Sequence, residues 1–196
     1  ASRNVWPDAV PELEEAFKKL GRLVYEVAKP IIRQVDELVE AERPGHGTAL
    51  YDRTFSESRL ALGRLLHYYG VREGAEGAEG DWCGWHNDNS TITGLVPALW
   101  LDESSGAQTA APAGAGLYVE GGDATQVHVA APPGCLGFQI GEAAQILSGG
   151  VVHATPHMVR GHVSAAGAPL VCRSTFALFM EPQWDAVLRP PPSTDF

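Results

Sequence analysis

Gly84-Trp85-His86-Asn87-Asp88 sets a histidine and a carboxylate two residues apart in a run rich in β-forming residues. On a strand, positions i and i+2 point to the same face, roughly 6–7 Å apart, so two such side chains can converge on one metal ion. The pair therefore predicts a β segment and a metal site together. A second histidine from elsewhere would complete two histidines and one carboxylate, the facial set that suits non-heme Fe(II) and leaves coordination positions open.

On either side of this stretch the pattern changes. Leu13, Phe17, Leu20, Val24, Val27, Ile31, Val35 and Leu38 recur at three- and four-residue steps and predict a long helix over 11–42. Pro11 suits its first turn. Pro30 falls mid-pattern and is expected to kink or split it. A short helix start is expected over 55–62 and a strand over 63–69. The Gly/Glu/Ala-rich stretch 70–81 reads as a mobile loop. From 82 onward short β segments alternate with Gly/Pro turns, at about 91–101, 116–120, 125–130, 135–140, 150–155, 157–163 and 169–180. This spacing points to a sandwich, barrel or jelly roll. Residues 103–115 read as a loop insertion, and the proline-rich tail as extended.

Composition narrows the function. The chain has 196 residues, enough for one domain with a sizeable core. Its net charge is −10, with no basic run, which argues against nucleic acid or an anionic membrane as partner. Three widely spaced cysteines, Cys83, Cys135 and Cys172, fit neither a disulfide framework nor a zinc ribbon, and suggest a reducing compartment. No apolar run approaches membrane-spanning length. An intracellular, cytoplasmic monomer acting on a small molecule is expected. The chain begins at Ala1, which reads as a trimmed piece of something longer.

Seven histidines compete for the third ligand position. His46 lies in a Pro/Gly loop, and His128 alternates with valines. His153 and His157 are four residues apart, roughly 13 Å in an extended segment, so they do not share one ion without a bend at Pro156. His157 has the better context, between Pro156 and the β-like Val159-Arg160; His153 is its rival.

Residues 170–180 form a mostly apolar run with one charge, Arg173. On a strand Arg173 and Thr175 share a face with Val171, Ala177 and Phe179. Facing a barrel interior, a lone guanidinium is costly. A bound carboxylate would satisfy it through two parallel hydrogen bonds, with Thr175 donating a third.

In order, Gly84-Trp85-His86-Asn87-Asp88, Thr91-Ile92-Thr93-Gly94-Leu95, Gly116-Leu117-Tyr118-Val119, Pro133 through Glu142, Gln145 through Gly150, Pro156-His157-Met158-Val159-Arg160 and Arg173-Ser174-Thr175 resemble the C-terminal half of the isopenicillin N synthase-like Fe(II)/2-oxoglutarate-dependent oxygenases. The resemblance covers about residues 60–182. It implies a mainly β chain with an N-terminal helix, folded as a distorted double-stranded β-helix, a jelly roll with packing helices. The implied organisation is an N-terminal helical segment over 1–62, a catalytic core over 63–182 and an extended tail over 183–196. It implies His86, Asp88 and His157 as iron ligands, with His153 outside that set. Arg173 and Thr175 match the pair that binds the distal carboxylate of 2-oxoglutarate. Tyr69 matches a tyrosine that contacts the co-substrate, and His67 stands where asparagine is usual. Gln139 and Glu142 replace a common asparagine and aspartate in what reads as a structural turn. Trp82, Trp85 and Trp100 are expected to pack near the metal, with substrate stacking a lesser role for Trp85.

The implied activity is that of an oxidoreductase, a non-heme dioxygenase. It would use Fe(II), 2-oxoglutarate and O2, with ascorbate as a reductant, to hydroxylate or desaturate a small organic substrate and release succinate and CO2. Two rivals are an Fe(II) oxidase that needs no 2-oxoglutarate and uses Arg173 for a substrate carboxylate, and a non-catalytic metal- or carboxylate-binding jelly roll. Zinc hydrolysis is a weaker third, because the His-Glu-x-x-His base signature is missing.

Overall fold

The computed structural model describes residues 4–58, 60–75, 81–132 and 134–191. Helix α1 runs Leu13–Glu42 and ends near a π-helical turn, Asp52–Glu57. The strands are β1 (Leu60–Tyr68), β2 (Val71–Arg72), β3 (Asp81–His86), β4 (Ile92–Leu95), β5 (Leu99–Asp102), β6 (Gly116–Glu120), β7 (Gln126–Val129), β8 (Gly137–Ile140), β9 (His157–Arg160), β10 (Val163–Ser164) and β11 (Val171–Glu181). A second helix, α2, spans Glu142–Leu147.

Two mainly antiparallel sheets face one another as an open jelly roll, not a closed barrel. The larger has the order β1-β11-β4-β8, with β5 also pairing the N-terminal half of β11. The smaller has the order β3-β9-β6-β7. A two-residue parallel pair, β2 with β10, stands apart from both. Side chains bridge the sheets: Trp82 of β3 stacks on Tyr68 of β1, and Gln139 of β8 reaches His157 of β9.

The apolar stripe of α1 explains its place. Val24, Ala28, Ile32 and Val39 are fully buried, and the first three pack with Ile92, Phe176, Leu178 and Met180 on the outer face of the larger sheet. The approach is close. A Cβ added at Gly94 of β4 would lie 2.2 Å from Val24 Cγ1, so only glycine lets the helix down onto the sheet. Asp36 ties the following loop to α1, accepting hydrogen bonds from Thr48 Oγ1 and the amides of Leu50 and Tyr51 at 3.0, 2.8 and 2.9 Å.

Several sequence expectations need correction. Pro30 does not split α1, which is continuous through it. The proline sits on the exposed face, where water can serve the carbonyl it releases, while apolar packing on both sides holds the helix. The short helix expected over 55–62 lies earlier, at Asp52–Glu57, and the strand expected from 63 begins at Leu60. The run 91–101 is two strands broken at Val96-Pro97-Ala98, because proline cannot donate to the ladder. No strand forms over 150–155. That segment is stitched to α2 instead, with the Ala154 amide donating to Gln145 Oε1 at 2.7 Å and the Val152 amide to Ser148 Oγ at 3.2 Å. Part of the loop expected over 70–81 is ordered as β2 and the start of β3, and residues 76–80 and 192–196 lie outside the described residues. Among the described residues no helix is long and apolar enough to cross a membrane.

Candidate metal centre and anion pocket

β3 ends at His86, and Asp88 lies just beyond it. The pair therefore converges through a strand end and the turn after it, not through i, i+2 alternation on one continuous strand. β9 supplies His157, directly cross-strand from His86. The two imidazole centroids are 4.2 Å apart. One oxygen of Asp88, Oδ1, lies 3.9 Å from His86 Nε2 and 3.7 Å from His157 Nε2. The ligand-type atoms of all three residues fall within 4.8 Å of one another.

The ring orientations are set by backbone. His86 Nδ1 is 2.8 Å from the Gly84 carbonyl, and His157 Nδ1 is 3.1 Å from the Thr155 carbonyl. A carbonyl only accepts, so each Nδ1 carries the proton and each Nε2 presents a lone pair inward. Burial pushes the His157 pKa down, favouring the neutral ring, although the Thr155 bond and Asp88 act the other way. Two imidazole Nε2 atoms and a buried carboxylate form a donor set that fits Fe(II). His153, the rival, is exposed and lies outside this cluster.

Arg173 and Thr175 lie on the inner face of β11, and both are only 8% exposed. Among the described residues Arg173 has no acidic partner, and its Nε and Nη1 are buried without a hydrogen bond. Aromatic rings surround it: its Cζ lies 5.4 Å from the Tyr68 ring centroid and 5.9 Å from that of Trp100. Trp82 contacts both rings, and its Nε1 is also buried without a partner. Burial lowers the Arg173 pKa and raises that of Tyr68. Thr175 Oγ1 donates to the Val96 carbonyl at 2.7 Å, so its proton points there rather than into the pocket.

The structure does not bring His67 and Tyr69 to this pocket. Tyr68 is cross-strand from Arg173, whereas His67 is cross-strand from Ser174 and holds Ser174 Oγ at 2.7 Å on the opposite face. Tyr69 packs edge-on against His67 and is 69% exposed. Tyr68, not Tyr69, faces Arg173. Sequence reasoning also missed Gln139 at the triad: the β segment expected over 135–140 forms as β8, but nothing local showed that Gln139 would reach His157. Trp82 and Trp100 do pack near the site, around Arg173, and Trp85 is partly exposed beside His86.

A Caulobacter crescentus protein assigned to the 2OG-Fe(II) oxygenase family superposes with a TM-score of 0.70 at 22% identity, covering 100% of this chain and 55% of its own. The chain has the fold of these oxygenases. A full-length Neurospora crassa protein in complex with alpha-KG and 5-formyluracil gives a TM-score of 0.62 at 18% identity, covering 100% of this chain and 56% of its own. JOX2 in complex with 2OG, Fe and JA gives 0.65 at 20% identity, covering 97% and 48%. This chain thus spans about half the length of these three structures. Neither a protein-family model nor a curated protein sequence matches it.

Proposed function

We propose that the protein is an Fe(II)- and 2-oxoglutarate-dependent dioxygenase that hydroxylates or desaturates a small organic substrate. The observation that carries this reading is the inward convergence of His86 Nε2, His157 Nε2 and Asp88 Oδ1 in a fold shared with structures holding 2OG and iron. His86, Asp88 and His157 would hold the iron. Arg173 would take the far carboxylate of 2-oxoglutarate, since it is a buried guanidinium with two orphaned donors and, among the described residues, no acidic partner. When bound, iron and 2-oxoglutarate supply the oxidising power, with O2 and 2-oxoglutarate consumed and succinate and CO2 released. The chain's own part is positioning. The Nδ1 bonds of both histidines fix which nitrogen faces inward. The rings of Tyr68, Trp82 and Trp100 wall Arg173 from water, which strengthens its pull on an anion. Tyr68 replaces Tyr69 and His67 as the aromatic neighbour of the co-substrate, and Thr175 lines the same face. The catalytic unit would be the two-sheet core, which begins with β1 at Leu60, with α1 packed against it.

The test is turnover. Purified protein with Fe(II), ascorbate and 2-oxoglutarate is expected to form succinate, and faster when its substrate is present. No 2-oxoglutarate binding and no succinate across a broad panel of small organic acids and heterocycles would overturn the reading. Iron binding without 2-oxoglutarate binding would favour instead an oxidase that holds a substrate carboxylate at Arg173.

A further inference from the structure

We propose that Gln139 is the positioning residue of the metal centre: it occupies one oxygen of Asp88 so that the carboxylate meets the metal through the other alone. The inference rests on the reading of His86, Asp88 and His157 as ligands.

Gln139 projects from β8 on the face it shares with its cross-strand partner Thr93, toward the smaller sheet. Its amide Nε2 donates to Asp88 Oδ2. The two oxygens of Asp88 are thereby divided. Oδ2 is held by the amide, and Oδ1 is the atom near both histidine Nε2 atoms. The polarity is unambiguous, since a carboxylate accepts and only the NH2 end of the glutamine donates. The same Nε2 lies 3.1 Å from His157 Nε2. A metal on that nitrogen takes its lone pair, leaving Asp88 as the partner Gln139 keeps.

The backbone of the same corner reinforces the hold. The Glu142 amide donates to the Asp88 carbonyl at 2.7 Å, and the Gly141 amide to the Thr91 carbonyl at 3.2 Å. Glu142 Oε1 accepts from Asn87 Nδ2 at 3.3 Å. A Cβ on Gly141 would sit 2.0 Å from the Ser90 carbonyl oxygen, so the corner closes on the Asp88 loop only with glycine there. Residues 139–142 thus grip Asp88 by side chain and main chain together.

The chemistry gives this grip a purpose. A carboxylate can bind a metal through one oxygen or both. Chelation through both would take a fourth position and leave one fewer for a chelating co-substrate and O2. An amide on Oδ2 disfavours that mode by giving the second oxygen a hydrogen bond it would lose.

The experiment compares Gln139→Met, close in length but without the donor, with Gln139→Asn, whose amide is one methylene shorter. Mn(II) affinity is measured by calorimetry, the Co(II) complex by its visible spectrum, and the metal-free protein by thermal melting. Gln126→Leu, an amide that touches Arg160 and not the triad, is the control. The expected result is a roughly 10- to 100-fold loss of Mn(II) affinity in Gln139→Met, as for other groups that orient a ligand, and a smaller loss in Gln139→Asn. Both should alter the Co(II) spectrum with little change in melting temperature, and Gln126→Leu should behave as wild type. A merely structural role would move melting and leave the Co(II) spectrum alone. Wild-type affinity and spectrum in Gln139→Met would overturn this inference while leaving the triad intact. Wild-type protein that binds neither ion would overturn the triad, and this inference with it.

Discussion

Strand β11 has two faces that treat their side chains in opposite ways. The outer face presents Phe176, Leu178 and Met180, all buried against α1, with Phe17 edge-on to Phe176 at 5.0 Å. Those three side chains are satisfied by contact alone. The inner face, one residue out of phase, presents Arg173 and Thr175, equally buried, yet Arg173 keeps two donors without partners. Nearby aromatic rings offset part of that cost, about 0.5–2 kcal/mol by cation–π attraction, well short of what a buried charge needs. One face builds the fold, and the other holds a charge whose natural complement is an anion.

That contrast can be broken from either side. The largest expected stability effect is on the outer face. Phe176→Ala should lower unfolding free energy by about 3–5 kcal/mol, as for other buried phenylalanines, measured by urea denaturation. A cost below about 1 kcal/mol would mean that α1 is not held as described. The inner face should answer with a smaller effect of opposite sign. Arg173→Met removes a buried charge with two unsatisfied donors among the described residues and keeps an apolar stem, so the protein without ligand should gain about 1–3 kcal/mol. A loss instead would mean that Arg173 has an internal partner serving the fold.

The same two faces show what could be read from the chain. The helix was legible because its apolar residues recur at the helical period, although the buried stripe runs through Val24, Ala28, Ile32 and Val39 and leaves Val27 and Leu38 exposed. His86, Asp88 and His157 were legible as residue types at a recognisable spacing, although the turn that swings Asp88 inward was not. Tyr68 was not legible. Which of two adjacent tyrosines faces Arg173 depends on the register of β1 against β11, Tyr68 opposite Arg173, and local sequence does not carry that register. Gln139 was hidden for the same reason. Its role follows from β8 lying across from β9 in the facing sheet, a relation between residues 18 apart in sequence. The absent strand over 150–155 failed differently: Gln145 and Ser148 take backbone amides of that segment that a partner strand would otherwise use.

In the proposed function, Arg173 on the inner face holds an anion beside a metal. The most direct test is an anaerobic titration of 2-oxoglutarate into Mn(II)-loaded protein, wild type against Arg173→Met. Loss of one partner of a buried charge-assisted pair costs about 2–5 kcal/mol, so affinity should fall about 30-fold or more while Mn(II) affinity is unchanged. Equal 2-oxoglutarate affinity in the two proteins would contradict that role for Arg173.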